Sequence, residues 1–202
     1  MSFGANITVN AVSFTSATSI TANISVGAGA ATGLRAVTVT NAGATGTPGN
    51  VFTVNAPAAP TLTSLDVATI ERYETRNVVL TGTNFYSGVS SVAISGTGFT
   101  LNSTTVNSAT QITVNVTVAG TAALTGRNVT VTNTPAGGTS GAQTLTVVNA
   151  QATVTTATPN SGTAGQANLD VTIAGTKFAA ELGAGDVVFS GAGITVNTVT
   201  FN

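Results

Sequence analysis

The chain begins and ends on the same strand-like segment. Residues 4–14 read GANITVNAVSF and residues 191–201 read GAGITVNTVTF, with eight of eleven positions identical at an offset of 187. Shorter offsets explain that spacing. TSATSITANISV (15–26) matches NSATQITVNVTV (107–118) at an offset of 92, and GLRAVTVTN (33–41) matches TGRNVTVTN (125–133) at the same offset, with Arg35 on Arg127. LTGTNF (80–85) matches IAGTKF (173–178) at 93. Such self-similarity marks tandem copies of one structural unit. The unit is about 93 residues long, and the chain divides into the back part of one repeat (1–56), a complete repeat (57–149) and the front part of a third (150–202). On this division neither end has the strands to close a core of its own.

Within each repeat the apolar residues alternate. Ile112, Val114, Val116 and Val118 point one way while Thr113, Asn115 and Thr117 point the other; Val129 and Val131, Val37 and Val39, and Val171 and Ile173 follow the same period. Alternation of β-branched residues between glycine-rich breaks such as AGGTSG (136–141) predicts half-buried antiparallel strands, roughly seven per repeat. No stretch carries a helical period with caps. The expected core of the complete repeat comprises Val78, Leu80, Val92, Ile94, Ile112, Val114, Val129, Val131, Leu145 and Val147. The segments NAPAAPT (55–61) and VNAQATV (148–154) read as joints, the first a semi-rigid, proline-rich spacer.

Composition narrows the functions available. Apolar residues make up 42% of the chain, enough for packed cores, but charged residues only 5%, against about 25% in ordinary soluble domains. The surface is therefore built from Thr, Ser, Asn and Gly, and a net charge of −1 offers no footprint for nucleic acid. Such low charge favours self-association. Cys and His are both absent, which removes disulfides, thiolate metal sites and the commonest general base. No apolar run approaches a membrane span of ~20 residues. The opening MSFGANITVN lacks a basic and an apolar signal region, so an export address would lie outside this chain.

PNSGTAGQANLDVTIAGTKF (159–178) resembles the opening of bacterial IPT/TIG domains: a Pro-x-x-Gly-x-x-Gly segment, a strand and a Gly-x-Asn-Phe turn. The complete repeat keeps GTNF (82–85) but replaces the Pro-Gly segment with VATIERYETR (67–76). Stretches 17–54 and 109–147 are similar to the family's tail, an alternating strand, VTVTN and a glycine-rich turn before a last strand. The resemblance implies an all-β fold of tandem immunoglobulin-like sandwiches and no catalytic residue. Members of that family serve in surface proteins, receptor ectodomains, starch-active enzymes and DNA-binding factors, so the resemblance speaks to fold and leaves function open.

Chemistry is hard to assemble from what remains. Serine and threonine hydroxyls need an adjacent base to become nucleophiles, and histidine is missing, so the chain is not expected to be an enzyme or to need a cofactor. Gly82 and Gly175 are expected to supply flexible backbone at strand ends, with Phe85 and Phe178 plugging one end of the sandwich. ERYETR (71–76) holds four of the eleven charged residues. Its loop should face the next repeat, where Glu181 and Asp186 sit, so Arg72 or Arg76 could meet Glu181 or Asp186 across an inter-domain joint. The alternatives are a solvated loop, or a calcium site from Glu71, Glu74, Glu181 and Asp186, whose oxygens suit that ion. Asn6, Asn23, Asn102, Asn115 and Asn128 are candidate glycosylation sites by their Asn-x-Ser/Thr sequence.

These features together lead us to expect a non-enzymatic structural repeat of an extracellular surface layer (an S-layer), matrix or filament, with neighbouring repeats or copies of itself as partners. The other readings are an adhesin stalk or carbohydrate-binding array, bound to surface glycans through Tyr73 or Tyr86, or an accessory region of a secreted glycosidase. The duplicated terminal strand can arise because the chain is a window on a longer array, the preferred reading, or because each copy's tail completes the next copy's head.

Overall fold

The computed structural model describes residues 1–46, 49–179 and 182–201. Among these the chain is all-β, with seventeen strands and one short 3-10 turn, Ala184–Asp186. No helix among the described residues is long and apolar enough to cross a membrane.

The first segment forms three small two-stranded sheets. β1 (Ile7–Ser16) pairs with β2 (Ser19–Val26), β3 (Gly33–Val37) with β6 (Gly49–Val54), and β4 (Thr40–Asn41) with β5 (Ala44–Thr45). The middle segment builds two larger sheets. One has the order β11 (Phe99–Ser108), β12 (Gln111–Val118), β9 (Thr75–Thr83), β7 (Thr61–Leu65). The other runs β10 (Ser90–Ile94), β13 (Gly126–Asn133), β15 (Gln143–Val148), β8 (Thr69–Glu71), with β14 (Gly138–Thr139) added on β13. The last segment contributes β16 (Thr153–Thr158) and β17 (Thr172–Thr176), paired with each other.

Both middle sheets feed one core. Ile112, Val114, Val116 and Val118 from β12 meet Val129, Val131, Leu145 and Val147 from the facing sheet, with Val78, Leu80, Ile70 and Leu62 around them. The period-2 pattern produces this burial directly: on β12 every second residue is buried and its polar neighbours face outward. Two expected core residues, Val92 and Ile94, are only half-buried and pack on the cluster from outside. They lie on β10, the edge strand of its sheet, where one flank has no neighbour to cover it.

The structure also departs from an antiparallel, seven-strand unit. The middle segment has nine strands, the extra two being the very short β8 and β14. β8 pairs with β15 in parallel, Val147 opposite Ile70. The chain leaves β7 in one sheet and enters β8 in the other within a few residues, so β8 joins the second sheet running with β15.

The end segments have no comparable core. Among the described residues of 1–56 only Ala30 and Val54 are buried apolar side chains, and in 150–202 none is. Burial of apolar area is the dominant favourable term in folding, and it is concentrated in residues 62–147.

Candidate functional site

The GTNF and GTKF turns repeat one local geometry, GTNF beside the Ala59 carbonyl at the joint between the first and middle segments and GTKF at the joint between the middle and last segments. Gly82 is not in the left-handed region; a Cβ there would overlap the Thr61 carbonyl and the Phe85 ring. Gly175 repeats the arrangement against Thr153 and Phe178. Lack of a side chain, rather than flexibility, is what each glycine supplies. The left-handed residue is the next but one, Asn84 at φ 58° and Lys177 at φ 59°. Phe85 is fully buried at the sandwich end, whereas Phe178 stays half-buried.

That left-handed turn aims Lys177 back at the middle segment. Its Nζ donates to Glu71 Oε2 at 2.7 Å. Glu74 Oε2 accepts from the Glu71 backbone N–H at 2.9 Å, and its Oε1 lies 3.4 Å from Arg76 Nη1. Arg72 Nε donates to the Ala122 carbonyl at 2.7 Å. In the last segment Asp186 Oδ2 accepts from the Gly183 N–H at 2.8 Å, closing its own short turn. Glu181 lies outside the described residues. The ERYETR loop therefore does reach the last segment, through Glu71 and Lys177. Lys177 was missed in the sequence because it replaces the asparagine of GTNF and sits outside the acidic loop.

Among the described residues no three acidic side chains gather into a metal-binding group. Of the sequon asparagines, Asn6, Asn23, Asn102 and Asn128 are exposed and Asn115 is half-buried. Tyr73 folds over Gly120, where a Cβ would strike its ring. Tyr86 lines an open groove of about 800 Å³ between the first and middle segments, together with Val26, Val54, Val106 and Pro135.

The most ordered polar features are amide ladders. Asn102 Nδ2 donates to Asn115 Oδ1 at 2.7 Å and to Thr117 Oγ1 at 2.8 Å; Asn115 Nδ2 donates onward to Asn77 Oδ1 at 2.7 Å. The first segment repeats the start of this ladder, Asn10 Nδ2 donating to Asn23 Oδ1 at 2.8 Å and Ser25 Oγ at 2.9 Å. Asn133, buried at the end of β13, donates to the carbonyls of Ala58 and Asn84 at 2.7 and 2.8 Å and accepts from Ser90 Oγ at 2.6 Å. It ties three parts of the unit together, and a buried amide so fully bonded is a fixed structural element.

Comparison with protein-family models, with curated proteins and with solved structures finds no match for this chain. The site must be read from its own geometry.

Proposed function

We propose that the chain is a non-enzymatic structural element, built of tandem Ig-like repeats of the IPT/TIG kind, in an extracellular layer, matrix or filament. One observation carries this reading: the β1–β2 hairpin and the β11–β12 hairpin are the same object. All eight paired positions of one recur in the other 92 residues on, from Ile7↔Val26 and Phe99↔Val118 to Ser16↔Ser19 and Ser108↔Gln111. Even the bulge recurs, between Val9 and Ala11 and between Leu101 and Ser103. A chain that repeats its register, its bulge and its amide ladder spends its sequence on uniform geometry. Its hydroxyl- and amide-rich faces, sparse charge and lack of His and Cys suit a material built for length.

The experiment is localisation and form. Antibody raised against residues 57–149 should label extended or layered material outside intact cells of the source. Label confined to the cell interior, or to dispersed soluble protein, contradicts the reading.

A further inference from the structure

We propose that Asn128 is the glycosylated asparagine of this chain, its Nδ2 carrying an N-linked sugar on the outer face of the sheet built around β13. The proposal rests on the extracellular reading above and adds a covalent site to it.

The five Asn-x-Ser/Thr sequences differ in what holds their amides. Asn102 commits its Nδ2 to Asn115 Oδ1 and Thr117 Oγ1, at 2.7 and 2.8 Å, and Asn115 commits its own to Asn77 Oδ1 at 2.7 Å. A sugar on either nitrogen replaces one N–H and needs the space that those acceptors fill, so ladder and glycan exclude one another. Asn10 and Asn23 repeat the Asn102–Asn115 bond at 2.8 Å in the first segment, and the ladder accounts for Asn23 as well. Asn6 stands at φ 59° and donates to the Gly29 carbonyl at 2.9 Å; 92 residues on, the same place is held by Gly98 at φ 90°. Its role is to hold left-handed backbone, which glycine and asparagine adopt most readily.

Asn128 has no such employment. β13 alternates, burying Val129 and Val131 and turning Asn128, Thr130 and Thr132 outward. The backbone of Asn128 is fixed against Ser95: its N–H donates to Ser95 Oγ at 2.8 Å, and its carbonyl accepts from the Ser95 N–H at 2.9 Å. Its side-chain amide is exposed and bonds to none of the described residues.

The repeat shows that the fold does not require an amide at this place. The counterpart of Asn128 in GLRAVTVTN is Ala36, although Arg35, Val37 and Thr38 all recur, as Arg127, Val129 and Thr130. The ladder residues Asn10 and Asn23, by contrast, recur as Asn102 and Asn115. Asparagine in place of alanine at this one position is what creates the acceptor sequence.

The surroundings suit a bulky adduct. Across the sheet Asn128 faces Thr144, and its neighbour pair is Gly126 with Thr146. With Thr130 these present short hydroxyl side chains and no charge, over which a sugar can lie and hydrogen-bond. The transfer needs a glycosyl donor activated through its anomeric phosphate. The Nδ2–C1 bond forms, the C1–O bond to phosphate breaks with its electron pair leaving on the phosphate, and the transferase takes up one amide proton.

Trypsin separates the candidate sites, because its cleavage points are Arg35, Arg72, Arg76, Arg127 and Lys177. Asn6 and Asn23 fall in the piece that ends at Arg35, Asn102 and Asn115 in 77–127, and Asn128 opens the piece 128–177. In native protein from the source, mass spectrometry should find sugar on 128–177, located on Asn128 by fragmentation, and the other two pieces at their unmodified masses. Expressed in the source, Asn128→Gln and Thr130→Val should each lose the sugar completely, while Thr130→Ser should keep it. A piece 128–177 at its plain mass overturns the proposal, as does sugar on a threonine of that piece or on either of the other two. In the 202-residue chain made without sugar, Asn128→Gln should leave the urea midpoint unmoved; a loss as large as that of Asn115→Asp would give this amide a structural role and overturn the selection. Protein that labels at the cell surface yet carries no sugar refutes this site alone, since localisation is read independently.

Discussion

Asn115 donates its Nδ2 to the Oδ1 of Asn77 at 2.7 Å, joining the two central strands of the four-stranded sheet on its polar face. The same Asn115 accepts from Asn102 through its Oδ1, so it is the only member of the ladder that must both give and receive. Replacing it with Asp keeps the acceptor and removes the donor. Asn115→Asp should therefore cost about 1–2 kcal/mol, while Asn77→Asp, which keeps the acceptor its partner needs, should cost less than half of that. Urea unfolding of both variants checks the order, and equal losses would contradict the donor assignment.

The core prediction is larger. Val114 and Leu145 are buried in one cluster fed by both middle sheets. Val114→Asp places an unpaired charge there and should cost several kcal/mol, and Leu145→Ala should cost about 2–5 kcal/mol through the cavity it leaves. Val51→Asp, on an exposed residue of the first segment, should leave the unfolding midpoint of the middle unit unchanged. Chemical denaturation separates the three.

At Gly82 a methyl group has no room between the Thr61 carbonyl and the Phe85 ring. Gly82→Ala should destabilise the middle unit by about 1–3 kcal/mol. Because the obstacle includes backbone of β7, trimming Phe85 to Leu in the same chain should not restore stability. Thermal unfolding of the single and double variants reads this out.

The joint between the middle and last segments should respond to charge without responding in stability. Glu71 and Lys177 are each more than a third exposed, and exposed pairs contribute about 0–1 kcal/mol. Lys177→Glu should widen the distribution of inter-segment angles in small-angle scattering at low salt and leave the melting midpoint within about 2 °C. High salt should bring the unsubstituted chain toward the variant. An unchanged scattering profile at all salt concentrations would mean that the pair does not hold the joint.

Sequence alone placed β1–β2 on β11–β12, from their shared offset of 92, and foresaw that Ile112 and Val114 face inward, because strands have a period of two. It reached less of what depends on neighbours in space. Nothing local distinguishes Val92 from Val129, and only the edge position of β10 leaves the first half-covered. VTVTN stood out as a repeated string, but the role of its last residue emerges only where Asn133 meets Ala58, Asn84 and Ser90, from 43 to 75 positions away. The charged loop was read for pairs from Arg72 or Arg76 to Glu181 or Asp186, whereas the cation that meets Glu71 is Lys177, from a turn read as purely structural. The parallel pairing of β8 was invisible because three residues carry no period.

The central claim is that residues 57–149 make a self-sufficient unit around the core of residues 62–147, and it is tested most directly by expressing that fragment and recording its amide spectrum and unfolding. The account predicts dispersed amide resonances, a single cooperative transition and slow exchange on β12 and β13. A fragment with collapsed amide dispersion and no transition would contradict it.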